Sequence, residues 1–439
     1  MDKYLFKFRF VILGLILVLG LVLRQNNLYT WPRLGATFDE YAWAWLGINL
    51  IQNYVPESWS YHPQYSQKKQ IIYQKTNFIL VKPYLEHPPV FGIVAGAYAL
   101  FAGVKDMYHV DLAHIRGLAL LLGVLSIFIL YVFVAEVYDY KIGLISALIY
   151  ATVPTITVGS RIVQNENFFI PLFLTSLFLV AKFLKTKKSL YRNIAAIICG
   201  ILVLSKVPWL AAALAIVLIF LLLKKYNDIF KFLAIVVSIF MLFIAYGAYF
   251  DLNLFIDLWK LQLARYDLAF NSLFALFTSP YVVDRFLIDG WIYFGWFAIF
   301  LLSIKDIKKN YMILLPFMAY LAVFVFAIPN EPSHGWYRFP FYPFLVISIA
   351  LFIKEYFNKN RILTLLFLLF TGLSMLQITW TAYFGFSFFV FRLFLILCGL
   401  SLLPLFFPKT LKKSNLLNTT LLIFIFLLNI WSVFLYNEQ

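Results

Sequence analysis

The sequence predicts an all-α polytopic membrane protein with about 13 transmembrane helices and interfacial helices in two long outer loops. Of its 439 residues, 63% are hydrophobic and only 13% are charged, which lies outside the range of a soluble domain. Apolar runs long enough to cross a hydrocarbon core of about 30 Å recur from end to end. Short Lys/Arg clusters separate these runs, so any chemistry must take place in the membrane helices or in the loops.

The net charge of +16 comes from short clusters that form no continuous basic face. This distribution is typical of basic loops that set the orientation of a membrane protein and contact anionic lipids. It argues against nucleic-acid binding. Cys199 and Cys398 both lie inside apolar runs, where packed thiols fit better than a disulfide or a metal site. Lys3, Lys7 and Arg9 precede the first apolar run, and no small-residue cleavage site follows it, which predicts a retained first helix.

Fourteen hydrophobic segments can be distinguished along the chain. They span residues 8–23, 88–104, 115–135, 141–158, 168–184, 190–204, 207–223, 230–250, 290–303, 311–328, 339–353, 361–382, 386–407 and 417–436.

The basic turns predict which side of the membrane each connection faces. They lie at the N-terminus and at residues 182–192, 224–231, 305–309, 354–361 and 409–413. From the fifth segment onward every second connection is basic, as the positive-inside rule requires.

A cytoplasmic N-terminus and a cytoplasmic 182–192 turn need an even number of crossings between them, but five segments lie there. Segment 88–104, which begins with Pro88-Pro89, is the candidate that fails to cross, and 115–135 is the alternative. The C-terminus is then outside.

Two long loops face the outer side in this topology, within a single integral membrane domain of residues 1–439. Loops of this length in a compact helical protein are usually functional. The first loop, residues 24–87, contains the apolar stretch 42–51, and the second loop, residues 251–289, contains the stretch 255–263. Both stretches predict short interfacial helices with tryptophans in the headgroup layer, and the two loops are expected to roof a site.

Asp39 and Glu40 lie in the first loop, beyond the first hydrophobic segment and shortly before the apolar stretch 42–51. Paired carboxylates at a membrane surface suit general-base chemistry. The alternative is that Thr37 or Asp39 caps the helix that follows and that the acidic residues stabilise its first turn. Of the two carboxylates, Asp39 is the better candidate for proton transfer, because Glu40 fits equally well as its neighbour or as part of a cap.

Glu86 and His87 stand before Pro88-Pro89 at the start of an apolar segment. A carboxylate beside an imidazole can bind a divalent cation or a phosphate oxygen. The alternative is a loop that closes onto a proline-initiated helix. His62 and His334 also lie in loops and are candidates to complete a metal site, although no HxxxH or HExxH spacing is present.

Arg161 and Glu166 form a polar break between two apolar segments, and Lys206 stands alone at the junction of two others. Charges at the membrane boundary are expensive and indicate function. For Arg161 and Glu166 the alternative is a local ion pair across the turn. For Lys206, which as a point charge is suited to phosphate, the alternative is a lysine that snorkels at a helix end.

Tyr337 and Arg338 lie among aromatic residues at the start of a late apolar segment, shortly after Glu331 and His334. An arginine held in this way is suited to a bidentate phosphate contact, and the alternative is an aromatic belt at the interface. All five charged elements fall on the outer face of the predicted topology. Cations for a phosphate and carboxylates for proton transfer at one surface favour a lipid-phosphate substrate.

These elements together resemble the GT-C class of polyprenyl-phosphate-sugar-dependent glycosyltransferases. The resemblance is to the branch of the protein O-mannosyltransferases and the aminoarabinose transferases that modify lipid A. It covers roughly residues 10–345 and rests on elements that occur in the same order at similar spacing. They are Asp39-Glu40, Glu86-His87-Pro88-Pro89, Arg161 with Glu166, Ser205-Lys206, and Tyr337-Arg338-Phe339-Pro340.

The resemblance implies a GT-C-like fold and a multi-pass enzyme of the plasma membrane with its active site outside. Such an enzyme transfers a hexose or pentose, with inversion, from a polyprenyl-phosphate donor to a lipid, glycan or protein acceptor of the cell envelope. Asp39, with Glu40 beside it, corresponds to the catalytic base. The residues that correspond to the ligands of the donor phosphate are Glu86, His87, Lys206, Tyr337 and Arg338. They hold the phosphate directly or through a divalent cation. Arg161 and Glu166 support the site, and Glu86, His87 and His334 are the candidate metal ligands.

Three departures from the family pattern limit what the resemblance implies. His87 replaces a lysine common in one branch, which weakens the inference of a lipid A acceptor. Glu166 replaces an aspartate without changing the charge, and the chain lacks the soluble C-terminal domain of some relatives. A flippase or transporter of lipid-linked sugars is the main rival function, but such proteins usually show an internal repeat and charges near the bilayer midplane. The second rival function is a glycan polymerase or ligase that uses a lipid-diphosphate donor.

Overall fold

The computed structural model describes residues 2–33, 36–264, 270–278, 289–328, 334–379 and 387–435. In the first half of the chain the helices are α1 (Asp2–Gln25), α2 (Asp39–Asn53), α3 (Val90–Phe101), α4 (Leu112–Val137), α5 (Tyr140–Thr152), α6 (Pro154–Gly159), α7 (Asn165–Thr186), α8 (Ser189–Val203) and α9 (Leu210–Leu222). In the second half they are α10 (Tyr226–Ala264), α11 (Phe270–Thr278), α12 (Gly290–Lys305), α13 (Ile307–Ala327), α14 (Tyr342–Glu355), α15 (Arg361–Thr379), α16 (Phe388–Gly399), α17 (Leu403–Phe406) and α18 (Leu411–Leu435). Short 3₁₀ helices occupy Met107–His109, Val207–Trp209, Gly335–Phe341, Leu400–Leu402 and Pro408–Thr410.

The chain is a mainly helical, multi-pass membrane protein, as predicted. Each of the fourteen hydrophobic segments coincides with an apolar helix. Among the described residues, nine helices are long and apolar enough to cross a membrane, and five shorter apolar helices accompany them. Helix α3 is one of the short ones. Its 12 residues give it a length of about 18 Å, which is less than a hydrocarbon core and agrees with the choice of this segment as the one that fails to cross. The number of crossings stays a prediction.

Helix α2 lies directly against α3 because glycines face each other at the contact. A Cβ atom at Gly47 would lie 1.9 Å from the carbonyl oxygen of Gly92, and one at Gly96 would lie 2.4 Å from the backbone of Gly47. The helix predicted in the first loop is therefore present. Its Trp43 and Trp45 are, however, 4% and 0% exposed, so they pack inside the protein and do not reach the headgroup layer.

A small antiparallel sheet follows α2, an element that the sequence reasoning missed. Its strands are β1 (Ser58–Trp59), β2 (Lys68–Tyr73) and β3 (Thr76–Val81), in the order β1-β3-β2. The turn between β2 and β3 places Gln74 and Lys75 at φ 48° and 63°. Phe78 of β3 packs edge-on against Trp45, with the ring centroids 5.2 Å apart. The sheet therefore covers α2, which explains why its tryptophans are buried.

Helix α10 has a sharp break at Asp251, where φ is −167° and ψ is 99°. The Oδ1 atom of Asp251 accepts a hydrogen bond from the Leu254 amide at 2.9 Å and so caps the second limb of the helix. This limb folds back, because Phe255 and Trp259 lie edge-on to Phe243 at centroid distances of 5.1 and 5.4 Å. The helix predicted in the second loop is thus present up to Ala264. Residues 265–269, which include Arg265, and residues 279–288 lie outside the described part of the chain.

The two long loops pack against each other. Leu46, Tyr84 and Leu85 of the first loop share a buried cluster with Phe255 and Leu258 of the second. The two loops therefore form one layer at one end of the helices, which we call the site end because the predicted site residues lie there.

At the other end of the helices, ion pairs join the helix termini. Glu136 pairs with Lys182 and Lys185, Asp139 with Lys354, Arg192 with Asp228, and Lys305 with Glu355. We call this the basic end, since the Lys/Arg-rich turns lie there. Cys199 and Cys398 are buried and form no disulfide, as expected of packed thiols.

Candidate functional site

The turn between α6 and α7 and the first two residues of α7 lie at the centre of the site end, and we call this stretch, residues 160–166, the central turn. Two hydrogen bonds link the neighbouring elements, one from this stretch to residue 205 and one from the start of α3 to residue 204. The Asn165 side chain donates a hydrogen bond to the Ser205 carbonyl at 2.8 Å, and the Val90 amide at the start of α3 donates one to the Leu204 carbonyl at 3.0 Å. Three of the elements singled out in the sequence, far apart along the chain, therefore meet here.

Asp39 is the first residue of α2 and is partly exposed. The N-cap position is occupied by Phe38, and no side chain caps the helix there, so neither Thr37 nor Asp39 is the N-cap. Instead, the Thr37 Oγ1 atom accepts a hydrogen bond from the Asp39 amide at 3.3 Å. The Oδ2 atom of Asp39 accepts a hydrogen bond from Gln164 Nε2 at 3.2 Å. The carboxylate is thus held from one side and open to solvent on another.

Glu40 occupies a different environment, since its side chain is only 1% exposed. Arg116 donates to both carboxylate oxygens, from Nε at 3.0 Å and from Nη2 at 2.9 Å. The Val163 amide donates to Oε1 at 2.9 Å. A bidentate arginine pair of this kind fixes a carboxylate strongly. Glu40 therefore anchors the start of α2 to α4 and to the central turn, and Asp39 is the member of the pair with an exposed carboxylate.

Two further buried arginines hold the end of α1 through backbone carbonyls. Arg161 Nη2 donates to the Leu23 carbonyl at 2.8 Å, and it is not paired with Glu166, so the alternative of a local ion pair is wrong. Arg24 Nη2 donates to the Tyr150 carbonyl at 3.0 Å. Neither Arg24 nor Arg116 was identified from the sequence. Both lie at the ends of apolar runs, where a charge is a signal that sequence reasoning can use.

Glu166 pairs with Lys206. The distance from Lys206 Nζ to Glu166 Oε1 is 2.8 Å, and the side chains are 9% and 0% exposed respectively. The ammonium also lies 4.5 Å from the centre of the Tyr337 ring. Burial lowers the pKa of Lys206, but the negative charge of Glu166, with a smaller contribution from Asp39, raises it by more, so the net pKa is above its ordinary value and the lysine stays charged. A snorkelling lysine would be exposed, so that alternative is wrong.

Tyr337 and Arg338 belong to the 3₁₀ helix Gly335–Phe341, which packs against α7. The Tyr337 carbonyl accepts a hydrogen bond from the Tyr320 hydroxyl at 2.7 Å. Arg338 is 2% exposed, and its Nη2 atom donates to the Ala275 carbonyl of α11. Arg338 therefore sits inside the protein, next in sequence to the Tyr337 ring that contacts Lys206, and it joins the 3₁₀ helix to α11. It is not part of an exposed aromatic belt.

Glu86 is buried in the first loop and lies near His62, with 3.5 Å between Oε2 and Nε2. Burial, followed by the negative charge of Glu86, raises the pKa of the Tyr65 hydroxyl above its usual value, so this hydroxyl stays protonated and donates to the carboxylate. Gln262 of the second loop approaches the same imidazole nitrogen at 3.5 Å. The two loops thus meet at a buried polar cluster around Glu86.

His87 and His334 are placed by aromatic rings. The His87 ring lies 5.3 Å from the Trp43 ring and 6.2 Å from the Tyr84 ring, so it lies on the side of α2 that also carries Asp39. The His334 ring stacks on Trp336 at 4.3 Å. Within the described part of the chain, no three His, Cys, Asp or Glu residues come together as a metal site.

Comparisons with known proteins confirm the resemblance. Residues 86–248 match the family described as dolichyl-phosphate-mannose-protein mannosyltransferase, a stretch that includes Glu86, Arg161, Glu166 and Lys206. No curated protein matches the chain significantly.

Two solved membrane enzymes share the fold. One is ArnT from Cupriavidus metallidurans bound to undecaprenyl phosphate, with a TM-score of 0.60 and 14% identity over 97% of this chain and 76% of that one. In its apo state the same protein matches with a TM-score of 0.56 and 13% identity over 96% of this chain and 76% of that one. The other is the oligosaccharyltransferase AglB from Archaeoglobus fulgidus, in complex with an inhibitory peptide and a dolichol-phosphate. It has a TM-score of 0.51 and 14% identity over 100% of this chain and 57% of that one. The GT-C-like fold is therefore confirmed.

Proposed function

We propose that this chain is an integral membrane glycosyltransferase that transfers a sugar from a polyprenyl-phosphate donor to an acceptor. The observation that carries the proposal is the placement of one partly exposed carboxylate, Asp39, around the same central turn as a buried ammonium, Lys206. Two proteins of the same fold bind polyprenyl phosphates, undecaprenyl phosphate in one and dolichol-phosphate in the other. A lipid-phosphate donor is thus supported by both the site and the fold.

Asp39 is the proposed general base. The acceptor oxygen attacks the anomeric carbon of the sugar while its proton passes to the Asp39 carboxylate. The bond from that carbon to the phosphate oxygen breaks, and the electron pair leaves with the lipid phosphate. Because this is a single displacement, the anomeric configuration inverts. Glu40 is assigned a positioning role, since its carboxylate is already neutralised by Arg116.

Lys206 is the main proposed ligand of the leaving phosphate. An ammonium carries three N–H groups, and one of them donates to Glu166, which leaves donors for the phosphate oxygens. Stabilising negative charge on the leaving group in a site shielded from water is a large catalytic term. His87, Tyr337 and Arg338 border the same region and are proposed to complete the phosphate pocket, with Glu86 held in the first loop beside it. Arg161 and Glu166 support it.

The sequence also predicts a divalent cation at this site, held by Glu86, His87 and His334. Glu86 and His62 provide two adjacent ligands, which do not complete the four to eight that Zn²⁺, Mg²⁺ or Ca²⁺ takes in proteins. His87 and His334 are held by aromatic rings elsewhere. The described residues therefore do not fit a metal site built by the protein alone, and no step is assigned to a metal.

We further propose a hexose or pentose as the transferred sugar, a lipid, glycan or protein as the acceptor, and the outer face of the plasma membrane as the location. A lipid-linked sugar transporter is less well supported, because the buried charges gather around loops at one end of the helices and not near their middle.

The direct test is donor turnover by purified protein in detergent or nanodiscs. Radiolabelled polyprenyl-phosphate sugars and a lipid-diphosphate oligosaccharide are each incubated with an extract of envelope acceptors, with and without EDTA. We expect release of polyprenyl phosphate from a monophosphate donor. Consumption of the diphosphate donor alone would make the protein a ligase. Movement of an intact donor across proteoliposomes without cleavage would make it a transporter.

The proposed sidedness is tested by cysteine labelling of intact cells with a membrane-impermeant maleimide. Gln70 in the sheet and Lys187 in a basic turn are both exposed, whereas the native Cys199 and Cys398 are buried and give a low background. We expect Gln70→Cys to react from outside and Lys187→Cys to react only after the membrane is permeabilised. The reverse pattern would place the site in the cytoplasm.

A further inference from the structure

The carboxamide of Gln164 connects the proposed base to the central turn. This side chain is 1% exposed and was not identified from the sequence. Its Nε2 atom donates to Thr37 Oγ1 at 2.8 Å and to Asp39 Oδ2 at 3.2 Å. Its Oε1 atom accepts from the indole Nε1 of Trp43 at 3.4 Å. All three partners belong to α2 or to the two residues before it.

Trp43 determines which way this amide points. An indole N–H is a donor only, so the atom of Gln164 that faces it must be the carbonyl oxygen. The NH₂ group then faces Thr37 and Asp39. With Oδ2 of Asp39 held in this way, rotation of the carboxylate is restricted, and Oδ1 is turned to the opposite side.

Gln164 is also only two residues from Glu166, the partner of Lys206. The same rigid turn therefore holds the proposed base through Gln164 and the proposed phosphate-binding cation through Glu166. In a single displacement the attacking and leaving groups lie on opposite sides of the anomeric carbon. The separation between base and phosphate ligand must then be fixed, and a displacement of about 1 Å can reduce the rate a hundredfold.

We propose that Gln164 is a positioning residue that orients the Asp39 carboxylate for proton abstraction and keeps it at a fixed distance from the phosphate-binding Lys206. The inference rests on the proposed glycosyltransferase function. Gln164 touches neither the donor nor the acceptor in this account, so its removal changes the turnover rate and leaves donor binding intact.

The test compares Gln164→Met, Trp43→Phe and the control Gln52→Met. Methionine preserves the length of the side chain and removes the amide. Gln52 lies on the same helix α2, is exposed, and donates to the Lys105 carbonyl at 2.8 Å, away from Asp39. Phenylalanine at position 43 keeps an aromatic ring beside His87 and removes the indole N–H that orients the amide, together with part of the buried ring system.

For Gln164→Met we expect kcat to fall about ten- to a hundredfold, while the donor KM and the binding of polyprenyl phosphate alone stay within about twofold of wild type. For Trp43→Phe we expect a smaller fall in kcat, about threefold to tenfold, again with unchanged KM. Gln52→Met should match wild type. Because Trp43→Phe leaves Gln164 itself in place, it provides a second result where Gln164→Met lowers the yield of folded protein.

The proposal is overturned by wild-type kcat in Gln164→Met. It is also overturned by a parallel loss of kcat, donor binding and melting temperature in both variants, which would make Gln164 a structural residue only. Failure of the proposed function looks different, since wild-type protein would then turn over no polyprenyl-phosphate sugar at all.

Discussion

Ion pairs lie at both ends of the helices, in different environments. At the basic end, Lys354 and Asp139 form an ion pair whose side chains are 51% and 34% exposed. At the site end, the side chains of Arg116 and Glu40 are 0% and 1% exposed. Exposed pairs contribute little to stability, whereas buried ones must be held in good geometry to offset desolvation. The exposed charges at the basic end therefore match the pattern of the positive-inside rule, whereas the buried charges at the site end indicate function.

Satisfaction of hydrogen bonds distinguishes two ion pairs within the site end. Arg116 donates not only to Glu40 but also to the carbonyls of Leu28 and Pro32, at 2.9 and 2.7 Å. Glu166 is different, because its Oε2 atom is buried with no partner among the described side chains and backbone groups. Within the site end, one ion pair is thus built as an anchor, and the other keeps unused hydrogen-bonding capacity beside the proposed donor site.

The largest stability effect is expected from Arg116→Met. The substitution leaves the Glu40 carboxylate buried without its partner, which should lower the free energy of unfolding by about 3–5 kcal/mol. Thermal unfolding in detergent measures it. The double variant Arg116→Met/Glu40→Met removes both charges and should recover part of the loss. An unchanged melting temperature in the single variant would show that the pair is not an anchor.

Lys206→Met should act on donor binding. Loss of a charged hydrogen-bond donor to phosphate weakens affinity by about ten- to a hundredfold, measured by calorimetry with polyprenyl phosphate. Lys206→Arg keeps the charge and should bind within a few-fold of wild type. Because the single variant leaves Glu166 unpaired, Lys206→Met/Glu166→Gln provides the control for folding. Wild-type affinity in Lys206→Met would remove this residue from the phosphate site.

The smallest effect is expected at the basic end. Lys354→Met breaks the exposed pair with Asp139 and should lower the free energy of unfolding by at most about 1 kcal/mol, because water screens the pair. Donor turnover should equal that of wild type. A large loss of stability or of turnover would contradict the division between the two ends.

Much of the fold could be predicted from the sequence because membrane helices depend on local hydrophobicity. All fourteen apolar segments correspond to helices, and a break at Asp251 follows from a residue that caps helices well. The β2–β3 hairpin was missed because its turn is formed by Gln74 and Lys75 at positive φ, without the Asn-Gly or Asp-Gly pair typical of such turns.

The sequence pointed to candidate site residues where a charge stood close to an apolar stretch, as for Asp39 and Lys206, and their roles stay predictions. Its partners were not predictable, because pairing depends on contacts between distant segments. Glu40 and Arg116 are 76 residues apart, and Asp39 and Gln164 are 125 apart. An uncharged residue such as Gln164 gives no sequence signal at all.

Asp39→Asn tests the central claim most directly. Asparagine keeps the shape of the side chain and cannot accept the acceptor proton. We therefore expect transfer from a polyprenyl-phosphate sugar to slow roughly a thousandfold, with binding of polyprenyl phosphate within about twofold of wild type. Asp257→Asn, at an exposed position of the second loop, is the matched control and should transfer at the wild-type rate. A wild-type rate in Asp39→Asn, or a loss of binding equal to the loss of rate, would contradict the role of Asp39 as the base.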